Sequence, residues 1–96
     1  MICSSRKEGR RERAEQRART APLRQQVQKL EQRLSDLTER KRAADAALAD
    51  PTLYEADQAD RLGELTQKAG TLASALAQLE EQWLHAHDEL ERATAA

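Results

Sequence analysis

Apolar residues recur along most of this chain at alternating steps of three and four, and this spacing constrains the fold more than any other feature. The stripe in the first half is Leu23, Val27, Leu30, Leu34, Leu37, Ala44 and Leu48, with one missing step at Lys41. The stripe in the second half is Leu62, Leu65, Ala69, Leu72, Leu76, Leu79, Trp83, Ala86, Leu90 and Ala93. A repeat of 3.5 residues holds one face of a helix against a second helix. The spacing therefore predicts two long helices packed along a coiled-coil seam.

The two stripes are separated by the stretch ADPTLYEADQAD at residues 49–60. Pro51 has no N–H and disfavours helical geometry in the residue before it, so the first helix should end there. Asp50 is placed to cap a short turn that has Pro51 at its first position. About a dozen residues cannot join parallel helices that are each ~40 Å long, so the helices must be antiparallel. We expect Leu53 and Tyr54 to cover the end of the seam at this turn.

These features predict an all-α fold, an antiparallel two-helix coiled-coil hairpin with a basic N-terminal helical or linker extension. The expected units are a basic linker or arm at residues 1–20 ("the arm") and a hairpin at 21–96, with a helix at 21–49, a tip at 50–58 and a helix at 59–94. Pairing Leu48 with Leu62 sets a register in which Val27 lies beside Trp83. Ala21 before Pro22 predicts a hinge or a new helix start, with Thr20 as its cap.

The composition fits such a fold and argues against an enzyme. Of the residues, 34% are charged, and the chain has no Phe, one Trp and one Tyr. A seam between two helices leaves no obvious cavity, and its carboxylates lie on solvated faces with no pocket to raise a pKa. Cys3 is the only cysteine, which excludes an intrachain disulfide. His85 and His87 are two apart on a helix and point different ways, so we expect no metal site and no cofactor.

The chain also lacks the signals of secretion or membrane insertion. The opening MICSS is too short and too polar for a signal peptide, and nowhere do 18 apolar residues run together. We therefore expect a cytoplasmic protein that has no membrane partner.

Charge is distributed unequally between the two halves. Residues 1–42 carry 13 Arg or Lys against 6 acids, a net of +7, and residues 43–96 carry 3 against 11, a net of −8. Such a split indicates either that the halves pair with each other or that one end is kept for an anionic partner. In the predicted register Arg19 and Arg24 lie near Glu80, Asp88 and Glu89, whereas the residues upstream have no acids opposite them.

The arm supplies the candidate nucleic-acid-binding residues. They are Arg6, Lys7, Arg10, Arg11, Arg13 and Arg17. Clustered arginines release counterions from nucleic acid and fork onto phosphate oxygens. No aromatic residue interleaves them, so there is no platform for stacking bases, and any contact should be independent of sequence. The alternative is a solvated linker.

Three stretches of the chain resemble a known family. RKEGRRERAEQRARTAPLRQQVQKLEQRL, LADPTLYE and LAQLEEQWLHAHDELE are similar to the C-terminal coiled-coil domain of ABC-F proteins, soluble ATP-binding cassette proteins of the Uup/YheS type. The specific points are the entry (Thr20, Pro22, Leu23, Arg24), the tip (Asp50, Pro51, Leu53, Tyr54) and Trp83 with Leu84 in the last helix. The resemblance covers nearly everything from Arg6 to Glu91.

The resemblance implies a domain that follows two ATP-binding cassettes, which would hydrolyse ATP and be its partners. This chain would then be a fragment or a separate end of such a protein, and it has no glycine-rich phosphate loop, since Gly9, Gly63 and Gly70 are isolated. In Uup-like members the domain contributes to DNA binding, and relatives act on the translating ribosome. We therefore expect an accessory module that contacts DNA, ribosomal RNA or the ribosome. The alternative is a protein-interaction hairpin, which includes a homodimer.

Overall fold

Two long antiparallel helices account for nearly all of the structure. The computed structural model describes the backbone of residues 2–95 and the side chains of residues 6–95, so the side chain of Cys3 lies outside the described part. Helix α1 (Ile2–Leu48) and helix α2 (Ala59–Thr94) are joined by two short 3-10 segments, Pro51–Tyr54 and Ala56–Gln58. The molecule is elongated, with extents of 82 × 18 × 14 Å. The predicted all-α hairpin is confirmed.

The core is the seam that the heptad spacing predicted. The buried apolar residues are Val27, Leu30, Ala44, Leu53, Leu65, Leu72, Leu79 and Ala86, and all except Leu53 belong to the two stripes. Leu34, Leu37, Trp83 and Leu90 are half-buried and pack against the end of this core that is nearer the arm. Because two helices cover each other along one line only, both flanks of the seam stay open to water.

The missing step at Lys41 is accommodated within α1. The Lys41 side chain is half-buried, and its Nζ lies 2.7 Å from Oδ2 of Asp45, one turn further along the helix. Its alkyl stem can therefore cover the seam while the charged end remains at the surface. Neither α1 nor α2, over the residues described, contains an apolar stretch long enough to cross a bilayer.

Helix α1 continues through Pro22, so the predicted hinge or helix start at Ala21–Pro22 is wrong. Thr20 does not cap a new helix; its hydroxyl donates to the carbonyl oxygen of Gln16 at 3.0 Å, as a residue inside a helix does. Thr20 is only 4% exposed, and Val27 is only 5% exposed. The seam therefore holds α1 on both sides of the proline, and this packing offsets the local cost of a proline in a helix, about 3 kcal/mol.

The tip closes the seam as predicted at three of its four candidate positions. Asp50 accepts from the backbone N–H of Thr52 at 3.0 Å, and Pro51 is the first residue of the 3-10 segment. Leu53 is 6% exposed and covers the seam end. Tyr54 differs from the expectation, because its side chain is 60% exposed and its hydroxyl donates to the Leu48 carbonyl at 2.6 Å. Tyr54 thus completes the C-terminus of α1 instead of the core.

Candidate nucleic-acid interface

The arm extends past the end of α2 as part of the same helix that forms the hairpin. Near the open end of the hairpin, Gln16 Nε2 donates to the carbonyl oxygen of Ala93 at 3.4 Å, which agrees with the predicted register. Helix α2 ends at Thr94, so α1 residues 6–13 lie beyond the part of α2 that the structure describes. One continuous helix therefore carries the basic residues away from the hairpin.

All six predicted nucleic-acid-binding residues lie in α1 with exposed side chains. They are Arg6, Lys7, Arg10, Arg11, Arg13 and Arg17. One of them takes part in an ion pair with a described residue, since Arg11 Nε lies 3.8 Å from Oε1 of Glu15. Both partners are exposed, and such a surface pair contributes little to stability. The structure thus keeps the basic residues of the arm available to solvent and to an anion.

The ion pairs do not connect the two halves of the chain. Among residues 6–95 every one joins side chains four apart in the same helix, as Asp88 and Arg92 do at 3.1 Å. The predicted approach of Arg19 and Arg24 to acids of the second helix is therefore not observed as ion pairing. The three acids concerned, Glu80, Asp88 and Glu89, have exposed side chains and are not part of the seam. Of the two explanations for the charge split, ion pairing between the two halves is therefore not supported.

Arg24 lies instead at the junction of the arm and the hairpin. Its Nη1 donates to Oγ1 of Thr20 at 2.5 Å, and its Nη2 donates to the carbonyl oxygen of Arg17 at 3.0 Å. Beside it is a cleft of about 230 Å³, which we name the junction cleft. The residues that line it are Arg13, Gln16, Arg17, Thr20, Arg24 and Thr94. Sequence reasoning missed this cleft, although Thr20 falls on the seam when the heptad is carried back from Val27.

The tip and the arm are far apart. Asp50 and Arg13 are separated by 37 residues of sequence, nearly all of them in α1, which corresponds to roughly 50 Å along the helix. Asp50, Pro51 and Tyr54 are exposed at this far end, and Leu53 is buried. The two predicted sites therefore cannot bind the same small ligand, and the structure does not bring them together.

A second surface feature is an apolar groove on the side of the seam, named here the Leu84 groove. It has a volume of about 530 Å³ and is lined by Glu31, Leu34, Glu80, Trp83 and Leu84. Leu84 is 60% exposed. The indole Nε1 of Trp83 is buried and has no hydrogen-bond partner within the described part of the chain. In this groove the large apolar side chain of Leu84 is exposed next to Trp83.

The two histidines of α2 contact different side chains. His85 Nε2 lies 3.1 Å from Glu89, and His87 Nδ1 lies 3.3 Å from Glu91. The His87 ring also lies beside the Trp83 ring, with centroids 5.0 Å apart. No group of three metal-ligating side chains occurs among the residues for which side chains are described. Each histidine therefore makes these contacts with residues of α2 itself.

Comparison with known proteins identifies one relationship. The family model described as "ABC transporter C-terminal domain" matches residues 10–92, which is most of the chain. Neither the curated proteins nor the solved structures include one that matches. The matched range contains the tip, most of both helices, the part of the arm from Arg10 onwards and every lining residue of the junction cleft except Thr94.

Proposed function

Because the chain belongs to the ABC transporter C-terminal domain family, it is an accessory module of an ABC protein, and we propose that it contacts nucleic acid through its arm. The contact is made to the phosphate backbone of DNA or ribosomal RNA and does not depend on base sequence. The ATP-binding cassettes of the parent protein are its partners and hydrolyse ATP. The domain itself performs no catalysis and holds no cofactor. We place it in the ABC-F branch, in the cytoplasm, because of its Uup/YheS-like motifs.

One observation carries this proposal: the arm presents exposed arginines that no acid of the second helix neutralises. Arg10 and Arg13 are exposed and belong to none of the ion pairs between described residues. A guanidinium binds phosphate in a two-pronged geometry and also releases condensed counterions. The helical arm therefore offers several phosphate contacts along one continuous helix.

The number of basic residues sets the expected salt dependence. If all six predicted residues contact phosphates of duplex DNA, the logarithm of affinity falls with the logarithm of salt concentration with a slope of about −5. Between 50 and 200 mM salt, this slope lowers the affinity about 10³-fold. Single-stranded nucleic acid releases fewer counterions, so the slope there is about −4.

The test is binding of the full chain to fluorescent duplex DNA and to structured RNA across a salt series. The decisive variant replaces Arg10, Arg11 and Arg13 with Glu, which reverses the charge of the arm. A matched control replaces Arg33, Arg40 and Arg42 with Glu, since these three are exposed on the part of α1 inside the hairpin. The arm variant should lose binding, whereas the control should keep most of it.

The relative behaviour of the two variants decides the outcome. Equal losses in both would mean that binding follows net charge and that the arm is not the interface. Binding that stays flat across the salt series would contradict a phosphate contact of any kind. Comparison of the DNA and RNA affinities at equal salt then identifies the preferred nucleic acid.

A second candidate function, docking of a protein partner, is favoured by the Leu84 groove. Its floor is Leu34, Trp83 and Leu84, and the carboxylates of Glu31 and Glu80 line it as well. The partner that fits is a segment with one apolar side chain flanked by basic groups, and the arm then serves as a tether. Exposed apolar surface with a polar rim is typical of interaction sites.

This second function makes a separate prediction, in which the partner is either another protein or a second copy of the chain. Leu84→Ser should weaken partner binding or self-association in sedimentation equilibrium, while reversal of Arg10, Arg11 and Arg13 should leave both unchanged. Binding that is lost only in the arm variant would exclude the groove as the interface.

A further inference from the structure

The junction cleft has the chemistry of an anion site. Two of its residues, Arg13 and Arg17, are among the predicted nucleic-acid-binding residues, whereas Arg24 is not. Three of its six lining residues are arginines, and the other three are Gln16, Thr20 and Thr94, so no carboxylate lines it. Its volume of about 230 Å³ is smaller than the roughly 300–1,000 Å³ of pockets for drug-sized ligands. A group the size of a phosphate fits this space better than a whole nucleotide.

Arg24 is held in place before any ligand arrives. Its two bonds, to Thr20 Oγ1 and to the Arg17 carbonyl, fix the plane of the guanidinium. Thr20 is 4% exposed, and its own hydroxyl proton goes to the Gln16 carbonyl, so its oxygen is directed towards Arg24 as an acceptor. A guanidinium has five N–H groups, and these two bonds use two of them. Binding to a fixed arginine costs less side-chain entropy than binding to a free one.

The cleft is also the end of a longer row of arginines. Arg10, Arg17 and Arg24 are seven residues apart, so they lie on nearly the same face of α1. Arg13 lies between Arg10 and Arg17, and Arg6 lies four residues before Arg10; Arg6 and Arg13 occupy positions that continue the seam beyond the end of α2. The row from Arg10 to Arg24 is about 21 Å long at ~1.5 Å per residue. The apolar seam inside the hairpin thus becomes a basic stripe outside it.

The competing explanation is that the arginines serve the C-terminus of α2. That end carries about half a negative charge from the helix dipole. Thr94, the last residue of α2, lines the cleft together with three full positive charges, those of Arg13, Arg17 and Arg24. Half a charge cannot balance three, so the cleft keeps a net positive charge that attracts an external anion. A phosphate in the cleft would relieve the mutual repulsion of the guanidinium groups.

We propose that the junction cleft binds a backbone phosphate of the nucleic acid, with Arg24 as a phosphate ligand and Thr20 as the residue that positions it. This inference rests on the proposed contact between the arm and nucleic acid, and it adds a fixed contact at the hairpin end of the arm. The cleft has no aromatic lining, so it reads a phosphate and not a base. The phosphate bound at the hairpin end of the arm then determines where the arm starts to contact the nucleic acid.

The first test is Arg24→Gln in the full chain, with Arg33→Gln as the control of equal charge on an exposed part of α1. Arg24→Gln should weaken duplex binding about tenfold, the usual effect of losing a hydrogen bond to a charged group. It should also make the salt slope shallower by about one unit. Thr20→Val keeps the charge of Arg24 but removes its anchor, so it should lower affinity while leaving the slope unchanged. Thermal melts of each variant separate these effects from loss of folding.

The second test does not need nucleic acid. Inorganic phosphate is titrated into the full chain while the Nε–H resonances of the arginines are followed by NMR. Arg24 and Arg17 should shift at lower phosphate concentrations than Arg33, and Thr20→Val should reduce the difference. Equal shifts at all arginines would overturn the proposed cleft.

The two proposals fail in different ways. If reversal of Arg10, Arg11 and Arg13 abolishes DNA binding while Arg24→Gln behaves like Arg33→Gln, the arm function stands and the cleft is refuted. If the unmodified chain binds neither DNA nor RNA at low salt, the arm function and the nucleic-acid contact of the cleft are both refuted, and the phosphate titration then shows only whether the cleft binds a free anion.

Discussion

Replacing Gly63 and Gly70 with alanine should stabilise the hairpin by about 2 kcal/mol. Both glycines lie within α2, both are exposed, and neither has a positive φ. A Cβ placed at either position meets nothing within 4 Å. Alanine therefore adds no clash and removes the backbone entropy that glycine loses on folding, about 1 kcal/mol at each position.

The two gains should add, because the sites share no partner and are about 10 Å apart along the helix. For a chain of this size, each kcal/mol raises the melting temperature by about 4–8 °C. Urea and thermal unfolding followed by circular dichroism measure both quantities. Nucleic-acid binding should stay unchanged, since both positions are far from the arm.

Gly9→Ala provides the matched control for this experiment. Its added Cβ meets only Arg13 Nη1 at 3.5 Å, an ordinary contact, and Gly9 lies in the arm beyond the end of α2. The substitution should raise helix content slightly without moving the melting temperature of the hairpin. If the double variant in α2 is no more stable than the control, then α2 is not the continuous helix described here.

Three further substitutions test the seam, the proline and the tip. Pro22→Ala should raise the free energy of unfolding by up to about 3 kcal/mol in urea titrations, and a decrease would mean that the proline is required for the packing of Thr20. Leu79→Ala should lower it by about 2–5 kcal/mol because Leu79 is 5% exposed in the core, whereas Leu84→Ala, at an exposed position, should change it by less than about 0.5 kcal/mol. Asp50→Ala should cost about 0.5–2 kcal/mol by removing the cap on Thr52. Asp57 lies in the second 3-10 segment, which has no side-chain cap, so an equal loss in Asp57→Ala would refute that role.

The candidate site could be predicted in part. The arm residues were evident because like charges clustered where the apolar stripe had stopped, and both signals are properties of local sequence. The role of Arg24 was not evident, because an arginine near several acids in a predicted register suggests an ion pair. Whether a guanidinium reaches a carboxylate or folds back onto Thr20 depends on side-chain geometry at the flank of the seam. The positions of the residues along the sequence do not specify this side-chain geometry.

The division of the chain into an arm at residues 1–20 and a hairpin at 21–96 remains a prediction about function. A single helix spans the boundary, so no change of backbone structure marks it. Helix α1 still contacts α2 at Gln16, which bonds to Ala93, and the arm side chains upstream of Gln16 from Arg10 to Glu15 are exposed. The salt-dependent binding of the arm variants is therefore the measurement that can separate the two units.

The sequence by itself determined the two helices, their antiparallel order and the residues of the seam. A heptad repeat and a proline in a short connection act locally and recur, so each position supports the same answer. The tertiary structure alone decided that α1 continues through Pro22, that Tyr54 is exposed and that Arg24 joins the junction cleft. At Pro22, the burial of Thr20 and Val27 in the seam outweighs the local preference of proline against a helix. At Tyr54 and Arg24, the outcome depends on which backbone or side-chain acceptor the side chain reaches in the folded chain, the Leu48 carbonyl for Tyr54 and Thr20 with the Arg17 carbonyl for Arg24.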